Sequence, residues 1–196
     1  MSDAESIFRE HGGQMRMSEA LAAGLSRYAL YKMLDSGQLE RISRGVYRLT
    51  DLPSVSDPDL LVIAVRVPRA VVCLVSAIAF HGLTTQVPHA VWIALPRSAE
   101  TPRLDHPPLL VHRFAWEAYE AGVEEHVLDG VTVRVYGPEK SLADLFKFRN
   151  RVGLDVVLEA LDLYLERGRP DVAVLMQYAR ICRVAQVMRP YLEAKL

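Results

Sequence analysis

The segment 17–48 constrains the fold of this 196-residue chain more than any other stretch. A short helical pattern over residues 17–23 ends at Gly24, which accepts the left-handed backbone that terminates a helix. Ser26 then offers an N-cap hydroxyl to a second helix over residues 27–36. Two short helices joined at a glycine turn predict a helix-turn-helix.

A hairpin with a basic tip follows this pair of helices. Residues 38–42 and 46–49 have the pattern of two strands joined through Ser43-Arg44-Gly45. Such a hairpin after a helix-turn-helix is typical of the wing that lies beside the DNA backbone, and we call residues 38–49 the wing. Apolar residues at helical spacing over 4–11 predict a further helix beneath it. We therefore expect a winged helix-turn-helix domain over residues 1–52.

The outward side chains of the second helix and the wing have the chemistry that DNA binding requires. Guanidinium groups bind guanine edges or phosphate, an ammonium binds phosphate, and phenols donate to phosphate oxygens. Leu30 and Met33 form the apolar stripe and leave the polar side of the helix outward, toward the major groove. We expect the wing arginines to grip phosphate or to enter the adjacent minor groove. The candidate DNA-binding residues are Ser26, Arg27, Tyr28, Tyr31, Lys32, Arg41, Arg44 and Arg48.

The positive charge of the chain is local. From Arg27 to Arg48 five Lys or Arg residues accompany two acids, a balance of plus three in a chain whose formal net charge is −1. Such an excess is also compatible with an ordinary solvated face or with a helix-turn-helix used for dimerisation, but the combined pattern favours DNA binding. From Arg167 onward six further Lys or Arg residues form either a solvated face or a second nucleic-acid or partner contact.

Composition predicts a globular protein in a reducing compartment. The chain is 51% hydrophobic and 24% charged, as expected for a folded protein that needs no metal or disulfide. Cys73 and Cys182 lie in apolar contexts without CxxC spacing, which indicates buried thiols. Arg66 and Arg69 interrupt the apolar stretch 60–80, and the amino terminus lacks a secretory signal. We expect a cytoplasmic protein with no membrane contact.

Beyond residue 52 the pattern changes to strands and amphipathic helices. The proline-rich and acidic stretch 51–58 predicts a linker, so a second domain is expected over residues 59–196. Asp129-Gly130 between two β-branched runs is a strong hairpin signal. Further strands are predicted over 91–95 and 109–114, and helices before and after them. The expected fold class is α+β, with a carboxy-terminal domain of antiparallel strands flanked by helices.

Three stretches resemble sequences of the AbiEi-family antitoxins of type IV toxin-antitoxin systems. LSR at 25–27, GQL at 37–39 and RGVY at 44–47 resemble the winged helix-turn-helix that opens these proteins. SAIAFHGLT at 76–84, followed by VPH at 87–89, resembles the "SA…HGLT…P" signature of their carboxy-terminal domain. PEKSLADL at 138–145 resembles their "PE(R/K)TLxDL" segment.

This resemblance implies a specific biological role. It implies an antitoxin that represses its own operon by binding repeated sites in double-stranded DNA. The antitoxin would counteract a separately encoded nucleotidyltransferase-like toxin, with or without direct contact. The alternative is a stand-alone transcriptional regulator whose carboxy-terminal domain binds an effector or dimerises.

An enzymatic role has little support in the sequence. Glu139 and Asp144, beside Lys140, suggest a metal-dependent nuclease, but five residues along a helix separate two side chains by about 140° around its axis. That is a poor shared ligand pair. His81 and His89 have no third ligand at metal-binding spacing. Glycine-rich phosphate loops and nucleophile motifs are absent, so we expect no enzyme, no cofactor and no metal.

Overall fold

The structure is a computed structural model that describes residues 3–53 and 56–195. Its contacts divide the chain into two compact units. Unit 1 comprises residues 1–69, 103–107 and 126–133, and unit 2 comprises the rest. The sequence-based domain limits, 1–52 and 59–196, stay a prediction, although the helix at residues 58–66 groups with unit 1.

Unit 1 contains the predicted helix-turn-helix and wing. Its three strands form a sheet of order β1-β3-β2, in which both pairings are antiparallel. The strand β1 was not expected from the sequence, and it adds a third strand to the wing hairpin. The elements are α1 (Asp3–Glu10), β1 (Gln14–Arg16), α2 (Met17–Ala22), α3 (Arg27–Asp35), β2 (Leu39–Ser43), β3 (Val46–Leu49) and α4 (Pro58–Arg66).

The central strand β3 is buried on both faces. Side chains alternate along a strand, so Tyr47 and Leu49 point one way, into a core that also contains Phe8 and Leu30. Val46 points the other way and packs against Leu61 and Val65 of α4. All four residues of β3 are consequently buried. The helix α4 thus covers the sheet face that the helix-turn-helix leaves open.

Unit 2 combines a mixed sheet with helices, and the α+β class is confirmed. The sheet has five strands in the order β6-β5-β4-β8-β7. Helix α7 has seven consecutive buried residues, from Lys140 to Phe146. Residues 126–133, at the β7–β8 turn, group with unit 1. The remaining elements of the chain are β4 (Val71–Val72), α5 (Leu74–Phe80), β5 (Val91–Pro96), β6 (Leu109–Phe114), α6 (Trp116–Glu120), β7 (Val123–Leu128), β8 (Val131–Tyr136), α7 (Pro138–Val152), α8 (Leu154–Glu166), α9 (Val172–Ile181) and α10 (Ala185–Glu193).

The sheet contains parallel pairings beside the antiparallel ones that the sequence predicts. Strands β5 and β6 run parallel over the whole register from Val91↔Leu109 to Pro96↔Phe114, and β4 pairs parallel with β8. Strand β4 pairs antiparallel with β5. Strand β6 can run parallel to β5 because the connection 97–108 has twelve residues. That length is enough to return the chain to the edge of the sheet where β5 began, as parallel neighbours require.

The β7–β8 hairpin forms where the sequence predicts it. Asp129 and Gly130 connect the two strands, and both have positive φ, 49° and 80°. This conformation matches the right-handed twist of adjacent strands, and it is the reason that Asp-Gly favours tight hairpins. Two strands joined by two residues necessarily run antiparallel.

Candidate nucleic-acid interface

Helix α3 is positioned by a side-chain cap and by its apolar stripe. The Ser26 hydroxyl accepts a hydrogen bond from the Ala29 amide at 3.1 Å, which satisfies a backbone donor of the first turn. Leu30 and Met33 are buried in the core of unit 1. At its other end Gly37 adopts a left-handed φ of 73°, which turns the chain directly into β2. The sequence therefore sets both ends of the helix and its rotation.

The opposite side of α3 carries two cations and two phenols. Residues 27, 28, 31 and 32 fall within an arc of about 140° around the helix axis. Tyr28 is 77% exposed and Tyr31 48%, although large aromatic side chains are usually at least half buried. Arg27 and Lys32 are exposed beside them. We call these four residues the α3 outer face. Their side chains are well suited to base edges and phosphates.

The wing presents two exposed arginines. Arg41 lies next to a bulge in β2, and its Nε donates to the Ser43 carbonyl at 3.3 Å. Arg44 lies at the turn, with 79% of its side chain exposed. A hydrogen bond joins the two ends of the wing just after α3, where the Thr50 hydroxyl donates to the Gly37 carbonyl at 2.7 Å. Arg41 and Arg44 thus remain candidate phosphate contacts, as the sequence predicts.

Arg48 is not available to DNA, which corrects the expectation for this residue. It is only 2% exposed. Its side chain lies on the face of β3 that α4 covers, since Arg48 follows Val46 by two residues. Nη1 donates to Glu40 at 3.2 Å, and Nη2 donates to the Pro53 carbonyl. The sequence did not reveal this because nothing near Arg48 indicates that a helix will cover its face.

We therefore expect Arg48→Ala to affect stability rather than DNA contact. The substitution removes two hydrogen bonds of a buried charged group, so unit 1 should lose about 1–3 kcal/mol of unfolding free energy. Thermal unfolding by circular dichroism measures this loss. At a temperature where the variant is folded, the salt dependence of DNA binding should equal that of the unchanged chain. A less steep salt dependence would show that Arg48 contacts phosphate after all.

Two basic residues outside the sequence-predicted set also lie beside the wing. Arg66, at the end of α4, donates through Nη1 to the Arg44 carbonyl. Arg103 comes from the connection between β5 and β6 and belongs to unit 1. Sequence reasoning missed both because it follows neighbours along the chain, and no local pattern brings residue 103 to residue 44.

The carboxylates considered for a nuclease have other partners. Asp144 is fully buried and hydrogen-bonded to Lys140, whereas the Glu139 carboxylate accepts from the Tyr164 hydroxyl at 2.8 Å. His81 Nε2 lies 2.8 Å from the Tyr136 carbonyl. Within residues 3–53 and 56–195, no three His, Cys, Asp or Glu side chains are grouped so that they could hold a metal ion.

Both cysteines lie in the core, as their apolar sequence contexts predict. Both Cys73 and Cys182 are buried free thiols. In the part of the chain that the structure describes, none of the helices combines the length and the apolar character needed to cross a bilayer.

In the basic carboxy-terminal segment, Arg167 donates to the His81 carbonyl and Lys195 pairs with Asp162. These two cations are thus engaged within unit 2.

Comparisons with known proteins find a family match in the amino-terminal region. Residues 2–50 match the family described as "Transcriptional regulator, AbiEi antitoxin". The chain is also similar in fold to the crystal structure of the RV2827C protein from Mycobacterium tuberculosis, with a TM-score of 0.52 and 18% identity. That similarity covers 91% of this chain and 74% of the other. No protein of curated function matches the sequence.

The family match and the geometry concern the same residues. The matched range contains α1 to α3 and the wing, and it ends directly after β3. The likeness to "SA…HGLT…P" and "PE(R/K)TLxDL" sequences lies outside it and stays a prediction. The family consists of transcriptional regulators and antitoxins, which are binding proteins and not a class of enzymes. Residues 2–50 thus resemble the AbiEi transcriptional regulators and antitoxins, and this match supports a DNA-binding regulatory role for the chain.

Proposed function

We propose that this protein is a cytoplasmic antitoxin of a type IV toxin-antitoxin system that represses its own operon. In this proposal the α3 outer face enters the major groove of an operator in double-stranded DNA, and Arg41 and Arg44 of the wing contact phosphate. The same protein counteracts a nucleotidyltransferase-like toxin encoded beside it.

The observation that carries the DNA-binding part is the α3 outer face. Its two exposed phenols and two exposed cations are held on one side of a capped helix. A folded domain rarely leaves adjacent aromatic rings in solvent unless they contact a partner. The matched family supplies independent support, since its members are transcriptional regulators. Base edges in the major groove offer acceptors to Arg27, while phosphates offer them to Lys32 and the tyrosines.

A salt titration of binding to the protein's own upstream DNA tests this part. Four exposed cations contribute in the proposal: Arg27, Lys32, Arg41 and Arg44. Each displaced counterion contributes about −0.9 to the slope of log affinity against log salt, so we expect a slope of about −3.5 per bound chain. A gel-shift series from low to physiological salt measures it. Equal binding to an unrelated duplex at every salt concentration would contradict operator recognition.

The antitoxin part rests on the family description and requires a separate test. Co-expression of this chain with the neighbouring nucleotidyltransferase-like gene should restore growth that the toxin gene alone prevents. An Arg27→Ala variant should still restore growth if neutralisation does not depend on operator binding, provided that expression is driven by an external promoter. Operator binding without any rescue would favour the alternative, a stand-alone transcriptional regulator.

A further inference from the structure

Beside the wing, unit 1 contains a cleft of about 380 Å³ whose lining includes three arginines. We call it the Arg44 cleft. It does not belong to the α3 outer face, and the sequence did not predict it. The polar and charged side chains that line it are those of Ser43, Arg44, Arg66, Arg103, Asp105 and His106.

Three separate segments of unit 1 supply these residues. Arg66 is held against the wing turn, because its guanidinium donates to the Arg44 carbonyl. The segment 103–107 supplies the other wall, and there His106 Nε2 lies 3.2 Å from a carboxylate oxygen of Asp59. The guanidinium groups of Arg44, Arg66 and Arg103 thereby line one concave surface.

The charges of the cleft do not balance. Three guanidinium groups accompany one carboxylate, that of Asp105. Arg44 Nη1 lies 3.8 Å from the Asp105 carboxylate, and the two side chains are 79% and 80% exposed. An ion pair so long and so exposed contributes little free energy. A phosphate can replace it, since guanidinium groups bind phosphate oxygens through two parallel hydrogen bonds.

We propose that the Arg44 cleft binds a backbone phosphate of the DNA on which the wing rests. This inference depends on the proposed DNA binding and extends it to Arg66 and Arg103. The ligand is DNA phosphate and not a small free anion, because the cleft is continuous with the wing and two of its three arginines, Arg44 and Arg103, are exposed. Asp105 competes with the DNA phosphate for Arg44 and thereby lowers the affinity for DNA.

Arg103→Ala tests the cleft in the full-length chain with an operator duplex. Arg103 is exposed, so its removal leaves the packing of unit 1 intact. We expect affinity at physiological salt to fall roughly three- to tenfold for operator and unrelated duplexes alike, and the salt slope to become less steep by about 0.9. Arg103→Lys should keep the slope because it keeps the charge.

Arg97→Ala is the matched control. Arg97 is an exposed arginine in the same β5–β6 connection, but it does not line the cleft. Its removal changes the net charge equally, so it measures the non-specific effect of one lost cation. Asp105→Asn should strengthen binding about two- to fivefold by releasing Arg44. The same substitution should give no gain when Arg44 is already alanine.

The outcomes separate this inference from the proposed function. If Arg103→Ala and Arg97→Ala bind equally well and with the same slope, the Arg44 cleft does not hold phosphate, even when Arg27→Ala weakens operator binding. If the unchanged chain does not bind duplex DNA, both proposals are overturned. Inorganic phosphate that competes at millimolar concentration would show that a small anion is the ligand and would overturn the assignment to DNA.

Discussion

Replacing Asp144 by alanine should destabilise unit 2 by about 3–5 kcal/mol, the usual cost of leaving a buried charge without its partner. Asp144 and Lys140 are both fully buried on α7, one helical turn apart, and their charged groups are hydrogen-bonded to each other. Removing the carboxylate leaves an ammonium group in the core. A buried charge without its partner costs folding free energy.

Aromatic rings and a thiol surround the pair. Lys140 Nζ lies 4.0 Å from the ring centroid of Tyr136 and 5.0 Å from that of Phe114, so aromatic faces contact the ammonium group. The Cys182 thiol donates to the second oxygen of Asp144 at 3.1 Å. Burial raises the pKa of Cys182 to about 12, and the negative charge of the nearby Asp144 is the second cause. This thiol therefore remains protonated and able to donate. Burial also raises the pKa of Asp144, and Lys140 opposes that shift.

Tryptophan fluorescence during urea unfolding measures the effect in unit 2 alone. The chain has two tryptophans, Trp92 and Trp116, and both belong to unit 2. A double variant, Lys140→Met with Asp144→Leu, is the control. Apolar side chains of similar volume often replace a buried ion pair at little cost, so the double variant should recover most of the stability that Asp144→Ala loses. If the single variant is as stable as the unchanged chain, the charged pair is not buried as described.

Arg27→Ala should weaken operator binding by about 1–3 kcal/mol, roughly five- to 150-fold, with the larger part of the loss on the operator rather than on unrelated DNA. Arg27 is the first residue of α3. In helix-turn-helix proteins the amino-terminal residues of the second helix typically contact the bases. Its guanidinium can donate two hydrogen bonds to guanine. Loss of those bonds should reduce the preference for the operator as well as the affinity.

Three measurements define the role of Arg27. Binding of the variant to the operator and to an unrelated duplex of equal length gives the change in specificity. Arg27→Lys retains the charge but not the paired donors, so it should resemble alanine if Arg27 contacts guanine and the unchanged chain if it contacts phosphate. Arg97→Ala again controls for the lost charge. Operator binding unchanged by Arg27→Ala would remove α3 from the proposed interface.

Local features of the amino-terminal domain were predictable from the sequence because each depends on neighbouring residues. The Ser26 cap needs only a hydroxyl three residues before a free amide, and the structure contains that bond. The same reasoning predicted the hairpin turn at Asp129-Gly130, where both residues have positive φ. In the candidate site, it predicted the exposure of Tyr28 and Tyr31 from the apolar stripe on the opposite side of α3.

Features that depend on distant segments were not predictable in this way. Arg48 is a cationic residue within the wing sequence. Helix α4 nevertheless covers its side of β3 and buries it. The direction of β6 beside β5 depends on the path of a twelve-residue connection, which residue types do not specify. Arg103 lies beside Arg44 only because residues 103–107 of that connection pack within unit 1.

The sequence by itself determined the helix-turn-helix, the wing and the outward chemistry of α3, since capping, turn conformation and helical periodicity act over a few residues. The tertiary structure decided which arginines remain available to a partner and which segments meet beside the wing. The physical reason is that burial and charge neighbourhood depend on packing between elements far apart in the chain, and no local pattern contains that information.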